Sequence, residues 1–250
     1  MKRPYVSASQ ISKFSSCPRK WAYSRIHREP PTKATEFGTL AHKHAEDWLT
    51  LGTPPPQTPE GKCIIGGLEY LPLPKTPGLK VEHKFSMSLD EQGGISDTGI
   101  VDYIGQIDFI YGYDPGRIIV IGDHKTTSDL RWVKTEDELS NDPQRIVYAY
   151  WAVVAYDVDY VAAHWNYYPK RGGAAKPVIV VEHRATIETK FKTQHINITL
   201  PLVSSLGLPP ERIDRNLSHC NAFGGCPYKK ACLVDMSPVE VVALRFKDLK

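Results

Sequence analysis

The stretch Gly105–Thr127, "GQIDFIYGYDPGRIIVIGDHKTT", decides the fold predicted for this chain. Two runs rich in β-branched and aromatic residues flank the turn tetrapeptide "YDPG" (113–116), a pattern that predicts an antiparallel hairpin. Asp108 lies within the first run, and Asp123 directly follows the second. If the two runs pair as neighbouring strands, both carboxylates can meet at one place in the sheet.

The charged residues of this hairpin, Asp108, Asp123 and Lys125, form a candidate catalytic group. Two adjacent carboxylates repel each other unless a cation lies between them, and hard oxygen ligands suit Mg²⁺ or Mn²⁺. Because side chains alternate along a strand, Asp123 and Lys125 share one face. A carboxylate that holds a metal ion, with an ammonium beside it, forms a site that can bind a phosphate and stabilise the charge that develops on phosphorus. The alternative is a surface ion pair, although the apolar runs around both acids favour a buried site in which each charge needs a partner.

The sequence on either side of the hairpin predicts a mixed central β-sheet flanked by helices, an α/β fold. Helices are predicted from capping residues and apolar periodicity, and strands from alternation and β-branched runs. Two short helices meet at Cys17. The predicted helices cover residues 7–26 (two helices), 34–52, 141–158 and 187–206, and the predicted strands cover 79–89, 99–113, 116–127, 160–170 and 176–186.

The composition predicts an ordinary globular protein. The chain has 250 residues, of which 41% are hydrophobic and 24% charged, and no apolar run is long enough to span a bilayer. No apolar segment of the signal-peptide type follows the basic amino terminus, so we expect a single globular unit in the reducing cytoplasm. A net charge of +3 is too small to indicate nucleic-acid binding by itself.

The five cysteines indicate metal or redox chemistry more than disulfides, because the cytosol is reducing and three of them are clustered. Cys220, Cys226 and Cys232 are separated by gaps of five residues. Structural zinc sites usually pair cysteines two to four residues apart, which argues modestly against zinc. A fourth ligand could come from Cys17 or from Cys63.

Several motifs together resemble the PD-(D/E)XK nuclease superfamily, in particular its RecB-like branch. "GQIDFIY" followed by "IGDHKTT" is similar to the second and third motifs of that superfamily. "GTLAHKHAE" resembles the upstream helix that supplies a metal-binding histidine, here His42, and Glu82 in "VEHKFSM" fits an acidic residue of the first strand. "QRIVYAY" matches a Gln-x-x-x-Tyr signature, Gln144 and Tyr148. The resemblance spans residues 7 to 232 with the five motifs in the expected order.

This resemblance implies a single RecB-like nuclease domain over residues 1–250, with a restriction-endonuclease-like core at about 36–200. It implies a Mg²⁺- or Mn²⁺-dependent deoxyribonuclease, most simply an exonuclease that acts on DNA ends or single strands. The implied metal ligands are His42, Asp108, Asp123 and the backbone carbonyl of His124. The implied catalytic residues are Lys125, Asp108 and Asp123, with Gln144 and Tyr148 positioning the strand.

The segment "SKFSSCPRKWAY" is similar to the amino-terminal segment of RecB-like nucleases that carry an iron–sulfur cluster. In that subgroup, which includes the AddB nuclease domain and CRISPR-associated RecB-like exonucleases, one cysteine precedes the core and three follow it. The implied ligands of a [4Fe–4S] cluster are Cys17, Cys220, Cys226 and Cys232, on elements at about 7–30 and 215–235. The first gap of the trio differs from the subgroup's commonest spacing, and zinc remains the alternative metal.

Basic and aromatic residues near these cysteines predict a DNA-contacting wall, because cations suit the DNA backbone and aromatic rings suit the bases. The predicted contacts are Arg19, Lys20, Tyr228 and Lys229, with a solvated helix face and core aromatics as the alternative. The resemblance implies a role in recombination, repair or CRISPR adaptation, with a helicase, recombination or integrase partner. The rival interpretations are a DNA-binding assembly module whose nuclease centre is dispensable, and a zinc-stapled endonuclease.

Overall fold

The structure is a computed structural model that describes residues 3–114, 117–221 and 225–243, without the side chains of Tyr113 and Ala243. The strands are β1 (Tyr5–Ser7), β2 (Lys80–Leu89), β3 (Val101–Asp114), β4 (Ile118–Thr127), β5 (Tyr160–Pro169) and β6 (Lys176–His183). The helices are α1 (Ala8–Ser16), α2 (Pro18–Ile26), α3 (Lys33–Leu51), α4 (Pro59–Ile65), α5 (Glu136–Ser140), α6 (Pro143–Tyr156), α7 (Arg184–Gln194), α8 (Leu200–Ser204), α9 (Lys229–Leu233) and α10 (Pro238–Ala243).

The six strands form one mixed sheet in the order β1-β3-β4-β5-β6, with β2 also paired to β3. β3 and β4 are antiparallel, β4 and β5 are parallel, and β5 and β6 are antiparallel. The predicted mixed sheet flanked by helices is therefore confirmed, and the architecture is consistent with a restriction-endonuclease-like core. The predicted "YDPG" turn includes Pro115 and Gly116, which lie outside the described residues.

The chain divides into two compact units. We call residues 32–86 and 105–191 the core unit, and residues 1–31, 87–104 and 192–250 the terminal unit. The core unit contains α3, α6 and the strand segments that carry the candidate catalytic group. The terminal unit contains four of the five cysteines. No described helix has the length and apolar character needed to cross a bilayer.

Helices α3 and α6 pack on opposite faces of the core-unit sheet. Tyr168 of β5 packs with Ala41 and Ala45 of α3, whereas the Trp165 ring lies 6.5 Å from the ring of Tyr148 on α6. Residues three apart on a strand point to opposite faces, so the two helices cover the two sides. The sheet is therefore buried on both sides here, which explains the nearly continuous apolar run of β5.

Local sequence signals set the ends of these two helices. Gly52 ends α3 in the left-handed conformation, with a φ of 73°. Asp142 caps α6, since its carboxylate accepts hydrogen bonds from the backbone N–H groups of Gln144 and Arg145 at 2.9 and 3.0 Å. These two ends lie within two residues of the predicted bounds at 52 and 141. The cap at Asp142 fixes Gln144 in the first turn of α6.

The terminal unit contains two features that the sequence did not predict. The short strand β1 pairs in parallel with Asp102–Ile104 of β3. The helix predicted at 187–206 is interrupted by a π-helical turn, His195–Thr199. Within that turn, the hydroxyl of Tyr103 lies 3.0 Å from Nδ1 of His195 and donates to Oγ1 of Thr199 at 2.6 Å. These two hydrogen-bonding contacts link the π turn to β3.

Candidate active site

The two acidic residues of the hairpin lie across from each other on neighbouring strands. Phe109 of β3 is paired with Gly122 of β4, and one step further along the same antiparallel register Asp108 faces Asp123. Asp108 is 7% exposed and Asp123 is 2% exposed. The predicted pairing of the two runs is thus confirmed, and it brings two buried carboxylates together.

Three side chains of the core unit form a group that could hold a metal ion. One ligand atom each from His42, Glu82 and Asp108 lies within 4.8 Å of the others, and this is the one such group among the described residues. Nδ1 of His42 is 3.4 Å from Oδ2 of Asp108. The sequence placed His42 and Asp108 in a metal site, but it assigned no metal to Glu82.

Glu82 has a backbone conformation that is rare for a residue with a side chain. Its φ is 51°, in the left-handed region, although it lies within β2. Such a conformation costs of order 1–3 kcal/mol and persists only where the surroundings hold it. Gln106 of β3 donates a hydrogen bond to the Glu82 carboxylate and helps to hold it.

The electrostatics of this group favour binding of a cation. Burial, and then the negative charge of Asp123, raise the pKa of Asp108 well above its usual range. Burial likewise raises the pKa of Glu82 and lowers that of His42. The group therefore contains a neutral imidazole and carboxylates whose negative charge is not fully balanced. A divalent ion suits these ligands, because it takes the place of protons and relieves the repulsion between the carboxylates.

Asp123 belongs to a second group, with Lys125 and Gln144. Nζ of Lys125 is 2.5 Å from Oδ2 of Asp123, and it donates a hydrogen bond to Oε1 of Gln144 at 3.1 Å. The amide of Gln144 donates to Oδ1 of Asp123 at 2.6 Å. Burial alone would lower the pKa of Lys125, but the charge and hydrogen bond of Asp123 outweigh it and raise the pKa. Lys125 therefore stays an ammonium at neutral pH.

Tyr148 lies one helical turn after Gln144 and supports it. The Gln144 amide lies 3.2 Å from the Tyr148 hydroxyl, and the Tyr148 ring packs edge-on against Phe85 with centroids 5.7 Å apart. Tyr148 is only 6% exposed. Its side chain is therefore part of the packing behind the site, and Gln144 is the residue of this pair that contacts the charged groups.

His124 links Asp108 to Tyr168 of β5, on the face of the sheet that α3 covers. Its backbone N–H donates to Oδ2 of Asp108 at 2.6 Å, and its buried ring lies 3.1 Å, at Nδ1, from the Tyr168 hydroxyl. The ring also meets that of His42 edge-on, with centroids 5.5 Å apart. These contacts fix the orientation of His42 and Asp108. The role of the His124 carbonyl as a metal ligand stays a prediction.

Four cysteines line one cavity of the terminal unit, namely Cys17, Cys220, Cys226 and Cys232. The backbone N–H of Asn216 donates to Sγ of Cys17 at 3.4 Å. Cys63 lies in the core unit instead, fully buried among apolar residues, and burial raises the pKa of its thiol to about 12. Cys63 thus has the environment of an inert core residue.

Among the described residues, the four thiols do not form a compact group of metal ligands. Four sulfurs on one Zn²⁺ would lie about 3.8 Å apart, because each Zn–S bond is about 2.3 Å long and the geometry is tetrahedral. Across the described ranges, no three cysteine sulfurs lie within 4.8 Å of one another.

The residues predicted to form a DNA-contacting wall fall into two sets. Arg19 is 8% exposed, forms an ion pair with Asp235 and donates to the backbone carbonyl of Ile213 at 2.8 Å. Tyr228 is fully buried and donates to the carbonyl of His27. Both side chains therefore hold the terminal unit together, and contact between these two residues and DNA stays a prediction. Lys20 and Lys229 line the cysteine cavity.

We expect the substitution Asp108→Asn to raise the melting temperature of the metal-free protein by a few degrees. An acid whose pKa is raised on folding destabilises the folded state at every pH above its unfolded value. The increase in melting temperature should therefore be largest at high pH and shrink as the pH falls towards about 4. Thermal denaturation in EDTA between pH 4 and 8 measures it, with the exposed Asp159→Asn as control. A lower melting temperature in Asp108→Asn than in the control would contradict the electrostatic account.

Comparisons with known proteins were made on both sequence and structure. The family model described as the PD-(D/E)XK nuclease superfamily matches residues 5–64. The matched range contains Cys17 and His42 and ends before the strands that carry Asp108 and Asp123. A search of curated proteins found no significant match. Among solved structures, "Crystal structure of SSO0001" is 14% identical, with 78% of this chain and 76% of that chain covered and a TM-score of 0.44.

Proposed function

We propose that this protein is a metal-dependent deoxyribonuclease. The observation that carries the proposal is the group His42, Glu82 and Asp108 together with the neighbouring pair Asp123 and Lys125. Buried carboxylates and a histidine suit Mg²⁺ or Mn²⁺, and an ammonium beside them suits a phosphodiester. The match of the PD-(D/E)XK nuclease superfamily to residues 5–64 supports the same activity.

His42, Glu82, Asp108 and Asp123 would hold the divalent ion. When bound, such an ion lowers the pKa of a coordinated water and polarises a phosphoryl oxygen. The residues that face it are already arranged for this task, because the N–H of His124 and the amide of Gln106 fix the carboxylates of Asp108 and Glu82. Little reorganisation is then needed when the substrate binds.

Lys125 would stabilise the negative charge that develops on phosphorus. The Asp123 carboxylate raises the pKa of Lys125, so its ammonium would act as a hydrogen-bond donor and point charge beside the phosphate. It would also orient the attacking water. Gln144 bridges Lys125 and Asp123, so it holds the ammonium in place beside the metal-binding acids. We assign Gln144 and Tyr148 to positioning of this pair.

A [4Fe–4S] cluster is the proposed occupant of the cysteine cavity, with Cys17, Cys220, Cys226 and Cys232 as ligands. A four-iron cluster binds each thiolate through a different iron, so its ligands lie further apart than those of one Zn²⁺. The location of the four cysteines around a single cavity supports this choice. Its proposed role is structural, as a cross-link between Cys17 and the tail.

The finer activity that we propose is exonucleolytic cleavage of DNA ends or single strands, in recombination, repair or CRISPR adaptation alongside a helicase or integrase partner. Purified protein with Mn²⁺ should shorten a linear duplex progressively from its ends and leave a closed circular duplex of the same sequence intact. Gel analysis of an end-labelled linear substrate and a relaxed circle measures this. Linearisation of the circle at the rate of linear cleavage would contradict the exonuclease and favour an endonuclease.

A further inference from the structure

A second pocket of the terminal unit lies away from the cysteines. It has a volume of about 360 Å³, within the range of small-ligand sites. Its lining includes Lys13 of α1, Arg25 and Arg28 of the α2 region, and the side chains of Tyr5, Ser9 and Trp21. We call it the basic pocket. Among the residues that the structure describes, no acidic side chain lines it.

The positively charged side chains of the basic pocket make few or long contacts with other protein groups. Arg28 is exposed and forms no ion pair or hydrogen bond with any residue that the structure describes. Lys13 has one long ion pair, 3.7 Å, with Glu29. Arg25 lies over the ring of Trp21 at 5.0 Å and reaches one backbone carbonyl at 3.3 Å. Three positive charges are therefore available to an anion.

Two aromatic residues, Trp21 and Tyr5, also line the basic pocket. Trp21 is 1% exposed, and its indole N–H has no hydrogen-bond partner within the described parts of the chain. Buried donors are almost always satisfied in native proteins. Tyr5 is 53% exposed at the edge of the same pocket and offers a free ring face. Rings beside guanidinium groups suit a ligand that carries both bases and phosphates.

We propose that the basic pocket binds the phosphate backbone of a single nucleic-acid strand. The spacing along α2 separates two faces of this helix. Arg19 and Tyr23 are bound into the tail, whereas Trp21 and Arg25, four residues apart, face the basic pocket. Arg28 follows the end of α2 and lines the same pocket. The strand contact of the terminal unit therefore lies on the face of α2 that turns away from the cysteine cavity. The assignment rests on the proposed nuclease function.

The test is strand binding measured without cleavage. Fluorescence anisotropy of a labelled 20-nucleotide single strand, in EDTA and at several salt concentrations, reports affinity and its salt dependence. Each phosphate contact contributes about 0.7 to the slope of log affinity against log salt. Lys13→Gln and Arg28→Gln should each lower that slope by about 0.7 and weaken binding about fivefold at 0.1 M salt. Arg212→Gln, an exposed arginine outside the pocket, should leave both unchanged.

The outcomes distinguish failure of the strand-binding proposal from failure of the nuclease proposal. Unchanged affinity and slope in Lys13→Gln/Arg28→Gln, with binding by the parent protein intact, would overturn the basic pocket whether or not the protein cleaves DNA. Displacement of the strand by equimolar inorganic phosphate or thymidine monophosphate would also overturn it, because the pocket would then be a small-anion site. Strand binding through the pocket in a protein that never cleaves DNA would count against the nuclease alone.

Discussion

Asp108→Ala and Asp123→Ala should each abolish DNA cleavage and weaken Mn²⁺ binding by more than about 100-fold. Changes to residues that merely support metal ligands already cost 10- to 100-fold, and these two carboxylates lie in or directly beside the donor group. Calorimetric titration with Mn²⁺ and single-turnover cleavage of an end-labelled strand measure the two effects.

The matched control for these variants is Lys125→Gln, which removes an ammonium and no oxygen ligand. It should keep Mn²⁺ affinity within a fewfold of the parent and lose roughly 10²- to 10³-fold in cleavage rate, as removal of one transition-state donor does elsewhere. Equal loss of metal affinity in Lys125→Gln and in Asp108→Ala would mean that the two groups are not separable as described.

Loss of any one cluster ligand should remove the cluster and destabilise the protein. Cys17→Ser and Cys226→Ser should both lose the brown colour and the four irons per chain expected of anaerobically prepared protein. A cross-link that closes a loop of about 200 residues contributes roughly 5 kcal/mol in the chain-entropy estimate made for disulfides. We therefore expect the melting temperature to fall by roughly 10–20 °C.

Cys63→Ala is the control for the cysteine variants, because Cys63 is buried among apolar residues of the core unit and does not line the cysteine cavity. It should keep the colour and the iron content. The ligand variants should retain part of their structure, since Arg19 and Tyr23 tie the amino-terminal helices to the tail through hydrogen bonds that involve no cysteine. A colourless anaerobic preparation with one zinc per chain would mean that the site binds zinc instead of an iron–sulfur cluster. Loss of colour in the Cys63 variant would refute the proposed set of four ligands.

The hairpin and the two helices around it could be predicted because their signals are local. Asp142 with Pro143 specifies the start of α6, and Gly52 specifies the end of α3. Alternation along the strands then places Asp123 and Lys125 together, as observed. The role of His42 was implied by the family resemblance, and the apolar stripe of α3 directs its neighbours Ala41 and Ala45 to the sheet.

The remaining features depend on contacts between distant residues. The left-handed conformation of Glu82 has no local sequence signal, so its place in the donor group could not be predicted from the strand pattern alone. The burial of Arg19 arises from partners almost 200 residues away, and a sequence pattern of alternating basic and aromatic residues cannot distinguish it from an exposed cation. The same limit applies to β1, whose three residues are specified by the strand they pair with.

The most direct measurement of the central claim is single-turnover cleavage of an end-labelled DNA strand by the purified protein, with Mn²⁺ and with EDTA, beside Asp123→Asn. This variant preserves the shape of the side chain and removes the charge that pairs with Lys125. We predict cleavage by the parent protein only with Mn²⁺, and none by Asp123→Asn under either condition. Equal cleavage by the parent protein and Asp123→Asn, or cleavage that persists in EDTA, would contradict a metal-dependent nuclease centred on these residues.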